Sequence, residues 1–242
     1  MRKLTNKEIK VLILGIVLTI VGLFIIGGIY YYFNNKNINK LLTDNKESAL
    51  RFKKEYESLN GITLESLKIP FLEMQIPDEN AMVYSSIEEI MDVLDKGTGI
   101  IYFGFPECPW CRSAVPVLID AVKETGASKI YYYNAYPIRD VKHLDDKGNI
   151  VIDKEGTKEY YTLISKLAPV LKPYEGLNNE QIKRLYLPTV LFVKDGKIVK
   201  MHEGTVESQT DPNIKLTEDQ RKELKEIYKD GINKTILCKG AC

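Results

Sequence analysis

The sequence predicts an α/β domain carried behind an N-terminal transmembrane helix, and three observations lead to that class. Residues Val11 to Phe33 carry no charged side chain. Residues Ile100 to Pro116 read as a strand, a turn and a helix bearing two cysteines. Strand-like and helix-like runs then alternate from about residue 81 to residue 229, the pattern of helices packed on a sheet.

The chain has 242 residues, 44% of them hydrophobic, which suits one domain of ordinary size with added segments. Its formal net charge is +1 and its basic residues do not cluster. Nucleic acid is therefore not an expected partner.

The uncharged run from Val11 to Phe33 is long enough, at about 1.5 Å per helical residue, to cover a hydrocarbon core of roughly 30 Å. It exceeds a usual signal-peptide core, shows no A-x-A cleavage site and ends in Tyr30-Tyr31-Tyr32-Phe33, residues suited to the membrane interface. The expectation is an anchor in contact with membrane lipid. Arg2, Lys3, Lys7 and Lys10 precede it, against Lys36, Lys40 and Lys46 after it, so residues 1–10 are read as a cytoplasmic basic segment. The rest of the chain is expected outside the cytoplasm, where disulfide chemistry persists.

Residues 34–78 read as a tether and spacer. Asn34 to Asp44 is polar, and Asn45 to Leu59 places Ala49, Phe52, Tyr56 and Leu59 at helical spacing, as in a helix packing lightly on the domain. Ile62 to Pro77, broken by Pro70 and Pro77, reads as extended.

The domain is expected over residues 79–232. Ala81 to Tyr84 is its first strand, and Ser86-Ile87-Glu88-Glu89 has the form of a capping box, with Gly97 suiting the end of that helix. Ile100 to Phe105 is a β-branched and aromatic run of the kind buried on both faces of a sheet. Lys129 to Asn134 is strand-like; such tyrosines usually lie half-buried with hydroxyls at water. Val141 to Gly156 reads as a polar hairpin and Thr157 to Leu171 as a helix stopped by its prolines. Val190 to His202 is a second hairpin, and Thr217 opens a capped helix reaching about Lys229. Residues 233–242 form a tail containing Cys238 and Cys242.

In Cys108-Pro109-Trp110-Cys111, a proline in the first helical turn would put Cys108 beneath unpaired backbone N–H groups, which favour a thiolate. Cys111 would then sit one turn on, on the same helix face, close enough to bond. Glu107 should oppose the thiolate and Arg112 favour it.

Three further features accompany the pair: Pro116 five residues past Cys111, Leu187-Pro188-Thr189 directly before Val190-Leu191-Phe192-Val193, and the hairpin Val193 to Val199 followed by Gly204. With the cysteine pair, these resemble the thioredoxin-like superfamily over roughly residues 79 to 230. Pro109-Trp110 differs from the usual Gly-Pro of thioredoxins and is similar to glutaredoxin-like patterns and to membrane-anchored bacteriocin-transport-accessory-like thiol–disulfide oxidoreductases.

The resemblance implies a central mixed sheet flanked by helices, with residues 138–181 as an insertion before a cis-proline loop at Pro188. It implies Cys108 as nucleophile and Cys111 as resolving cysteine. Trp110, Leu187, Pro188 and Thr189 are the implied substrate contacts. It implies no cofactor and no metal. The implied partners are cysteine-containing extracytoplasmic proteins and a membrane redox partner. The acidic residue that the superfamily carries six positions before its first cysteine is Tyr102 here.

Two other readings compete. Cys108, Cys111, Cys238 and Cys242 could supply four thiolates to zinc, although Pro116 and Pro188 would then go unexplained. A noncatalytic accessory module of a membrane or export assembly would have no need of an exposed redox thiol. For Cys238 and Cys242 a small structural disulfide is expected, with a second redox pair as the alternative. His143 and His202 lack metal-ligand spacing to the cysteines and are expected at the surface.

Overall fold

The computed structural model describes residues 44–64 and 68–236, together with Leu23, Ile26–Gly28, Tyr30, Tyr31 and Lys36. Most of the expected span at 11–33, and both tail cysteines, lie outside the described residues. Among the described residues no helix is long and apolar enough to cross a membrane. The chain divides into two units, Met1–Lys46 and Glu47–Cys242.

The second unit is a mixed α/β structure. A helix over residues 44–57 (α1) leads into it, followed by a two-residue ladder pairing β1 (Thr63–Leu64) with β2 (Ile69–Pro70). Next come β3 (Met82–Tyr84), α2 (Ile87–Lys96), β4 (Gly99–Phe103), α3 (Pro109–Thr125) and β5 (Ile130–Tyr133). The hairpin β6 (Val141–Leu144) and β7 (Ile150–Lys154) stands as a separate two-stranded sheet. Then follow α4 (Lys158–Leu167), β8 (Thr189–Lys194), β9 (Lys197–Glu203) and α5 (Glu218–Ile236).

The main sheet has the order β3-β5-β4-β8-β9. Strand β5 runs parallel to β3 and β4, whereas β8 is antiparallel to both β4 and β9. Local sequence explains the pieces. Ser86 and Glu89 close the expected capping box of α2. At the β8–β9 turn Asp195 and Gly196 both take positive φ, which an Asp-Gly pair accommodates in a two-residue hairpin.

Helices cover both faces, so the central strands are apolar on both. Successive side chains alternate sides: Ile100 and Tyr102 of β4, with Val190 and Phe192 of β8, enter one core, while Ile101, Phe103, Leu191 and Val193 enter the other. The first core is filled by α1, α3 and α5, through residues such as Phe52, Tyr56, Val115, Leu118, Leu224 and Tyr228. The second is filled by α2, α4 and the segment leading to β8, through Ile90, Leu94, Tyr160, Leu163 and Leu185.

Four local expectations change. Helix α1 does not pack lightly: Phe52 and Tyr56 are fully buried, and Phe52 stacks on Tyr56 and meets Tyr132 edge-on. Residues 47–78, expected as tether and spacer, thus supply part of the core. Within the aromatic strand Tyr132 is fully buried with its hydroxyl unpartnered, not half-buried at water. Helix α5 continues past Lys229 to Ile236, because Gly231 has no side chain to strike the Phe192 ring and Ile232 can then enter the core. His143 is exposed as expected, but the His202 ring is half-buried, Nε2 bonded to the Thr205 carbonyl at 2.9 Å and edge-on to Tyr228.

Candidate functional site: a cysteine pair at a helix start

Strand β4 ends at Phe103, and the chain turns through Gly104–Glu107 into α3. Cys108 is the N-cap and Pro109 the first helical residue, where its missing N–H would have had no intrahelical acceptor. The Cys108 side chain does the capping: its sulfur accepts from the Cys111 backbone N–H at 3.3 Å. Across the site the Cys108 thiol points to the Leu187 carbonyl at 3.6 Å. The Leu187–Pro188 peptide is cis, and the Pro188 carbonyl accepts from Gly204 N–H at 2.8 Å. Both cysteines are thiols in this structure.

Both cysteines are buried, Cys108 at 5% exposure and Cys111 at 0%. Cys108 is therefore nearly covered, in contrast to the exposed nucleophile expected. Their acidities diverge accordingly. The Cys108 thiol is held below its ordinary value, first by the Cys111 thiol beside it, then by the backbone N–H groups of Cys111 and Trp110 and by the Arg139 guanidinium, against the opposing effect of burial. Burial pushes the Cys111 thiol well up, and the neighbouring Cys108 sulfur acts in the same sense; the Phe105 backbone and the Tyr102 hydroxyl act the other way.

A pH-dependent expectation follows. A depressed pKa means that the Cys108 thiolate persists to lower pH than in an ordinary thiol, so alkylation of Cys108 by iodoacetamide should rise through a midpoint below 9.0. Cys111 should stay unmodified over the same range. Peptide mapping after timed alkylation measures both; a midpoint at or above 9.0, or Cys111 labelled first, would contradict this ordering.

The other expected site residues are placed as follows. Trp110 is half-buried and packs against the first core. Leu187 is half-buried with its carbonyl at the Cys108 sulfur. Thr189 is fully buried and its hydroxyl donates to the Tyr186 carbonyl at 2.6 Å. Glu107 is exposed.

Arg112 does not serve the thiolate. Only 2% exposed, it donates to the carbonyls of Leu72 at 2.7 Å, Tyr56 at 2.8 Å and Pro106 at 3.4 Å, and to Asn60 Oδ1 at 2.6 Å. It fastens α1 and the 71–76 segment to the start of α3. The cation that acts on Cys108 is Arg139, from the stretch after β5, where no periodicity or motif marks it.

Tyr102 stands beneath the pair. Its hydroxyl meets that of Tyr56 at 3.1 Å, and its ring stacks on Tyr132. A fully buried tyrosine pair thus lies beside Cys111. Tyr56 could not be assigned to the site from sequence, because only the packing of α1 brings it there.

Among the described residues no group of three or more His, Cys, Asp or Glu side chains could hold a metal ion. No protein-family model matches the chain, and no curated protein matches it.

Proposed function

We propose that the unit beginning at Glu47 is a thioredoxin-like domain acting as a thiol–disulfide oxidoreductase on cysteine-containing proteins outside the cytoplasm, held to the membrane through residues 11–33. The observation that carries the reading is the asymmetry of the pair. Cys108 is a helix N-cap sulfur with a lowered pKa, and Cys111, one turn deeper, keeps its proton.

That asymmetry sets the order of steps. The Cys108 thiolate attacks one sulfur of a substrate disulfide; the new S–S bond forms as the old one breaks, and the second substrate sulfur leaves as a thiolate and takes a proton. Cys111 then loses its proton and attacks Cys108, releasing the first substrate sulfur. The substrate gains two electrons and two protons, and the pair becomes a disulfide. The same steps run backwards when the pair starts oxidised. The Leu187 carbonyl lies beside the attacking sulfur, where an extended substrate backbone would pass.

Cys111→Ser should accumulate mixed disulfides with cysteine-containing proteins that dissolve on reduction, and Cys108→Ser should accumulate none. Non-reducing gels of cells expressing each variant measure this. The reverse pattern would reassign the nucleophile, and adducts with neither variant would favour the noncatalytic accessory module.

A further inference from the structure

Two arginines, Arg139 beside the Cys108 sulfur and Arg184 within range of Arg139, form no ion pair among the described residues. Arg139 lies over the Tyr136 ring at 4.6 Å and the Phe105 ring at 6.0 Å, and Phe105 itself stacks on Tyr136. Phe105 belongs to the turn before α3, its carbonyl accepting from Cys108 N–H at 3.3 Å. Arg184 lies over Tyr174 at 4.1 Å and Tyr186 at 5.6 Å, three residues before the Leu187 carbonyl that touches the Cys108 sulfur. Arg139 thus acts on the Cys108 sulfur beside the α3 turn, and Arg184, in the irregular stretch before Pro188, lies within electrostatic range of Arg139.

Neither has an ionic partner among the described residues, and the Nε of each is buried without a hydrogen bond. Two nearby carboxylates each hold a lysine through one oxygen, Asp140 pairing with Lys142 at 2.7 Å and Glu203 with Lys172 at 2.9 Å, and the second oxygen of each is buried without a hydrogen bond. The two cations also repel, each within range of the other's field. Like charges held together on aromatic faces, with no ion pair to either among the described residues, cost free energy that an incoming carboxylate would recover. Both side chains are only partly buried, so their outer nitrogens can be reached.

We infer that Arg139 and Arg184 determine specificity for disulfides flanked by acidic residues, the substrates being acidic protein segments. This rests on the redox reading above and adds the chemical class of its substrate. The step is the first exchange alone: Cys108 thiolate forms a bond to the peptide sulfur as the bond to the leaving thiolate breaks, with the peptide carboxylates lying against the guanidiniums.

The test uses three short peptides whose single cysteine is flanked by aspartates, serines or lysines, each as a mixed disulfide with the same chromophoric thiopyridine. Release of the thiopyridine is followed with the full chain carrying Cys111→Ser, subtracting the rate of the Cys108→Ser chain. The acidic peptide should react about tenfold faster than the basic one at low salt, and the ratio should shrink as ionic strength rises. Arg139→Gln and Arg184→Gln should each reduce the ratio severalfold, and Arg139→Lys should restore part of it. A general fall in thiolate caused by losing Arg139 slows all three peptides alike and cancels in the ratio. Equal rates for the three peptides, or a ratio indifferent to both Gln variants, would overturn the inference alone. No reaction with any peptide would overturn the redox reading and this inference with it.

Discussion

Arg112→Ala is expected to lower the free energy of unfolding by about 3–5 kcal/mol, a large share of what holds a domain folded. The guanidinium satisfies three carbonyls and the Asn60 amide oxygen in a place water hardly reaches. A hydrogen bond to a charged donor contributes about 1.5–3 kcal/mol, and removing the donor strands each buried acceptor. The sum exceeds the stated loss because water can enter the space left by the side chain. The Tyr56 carbonyl lies in the last turn of α1, where unpaired carbonyls also favour a cation. Asn60 extends the network, donating to the Met74 carbonyl and accepting from Met74 N–H. Arg112→Lys should recover only part, since an ammonium cannot hold the fork of acceptors that a planar guanidinium spans. Urea unfolding of the three proteins decides it; an alanine variant within about 1 kcal/mol of the parent would show the network to be dispensable.

Gly104→Ala is expected to cost about 1–3 kcal/mol, the usual penalty for overpacking. A Cβ at residue 104 would fall inside the contact distance of the Tyr102 hydroxyl and the ring carbon that bears it. Tyr102 cannot retreat: it is fully buried, stacked on Tyr132 at 5.6 Å between centroids, with its hydroxyl against that of Tyr56. Tyr102→Leu removes both the obstructing oxygen and the ring carbon, at the expense of leaving the Tyr56 hydroxyl unpaired. The two substitutions should therefore be strongly non-additive, the double variant being more stable than the sum of the single losses requires. A double-mutant cycle by thermal or urea unfolding measures the coupling, and additivity within about 0.5 kcal/mol would refute the steric account.

What could be read in advance was local. Ser86 and Glu89 announce α2, Asp195-Gly196 announces the β8–β9 turn, and Cys108-Pro109 announces the start of α3, because each is a backbone requirement met by adjacent residues. The depth of α1 was not legible. Ala49, Phe52 and Tyr56 make the same narrow apolar stripe on a lightly packed helix as on a buried one, and the difference is supplied by Arg112, 56 residues beyond Tyr56. The role of Arg112 was misread for the same reason: proximity to Cys108 in sequence says nothing about the carbonyls that capture a side chain. Arg139 was invisible because it lies in an irregular stretch and reaches the site only through the Phe105–Tyr136 stack. Thr189 was expected to complete the proline loop as a substrate contact; it opens β8 and its hydroxyl donates to the Tyr186 carbonyl three residues back.

The alternation of β4 and β8 side chains has a consequence for how such a molecule can diversify. Cys108, Cys111, Tyr102 and the helices that hold them pack into one core, while α4 and the stretch preceding Pro188 pack into the other. Leu187 alone among the described residues packs against both. A lineage can therefore lengthen, recharge or reshape the elements over one face of the sheet without repacking those over the other, provided one leucine keeps its seat between them.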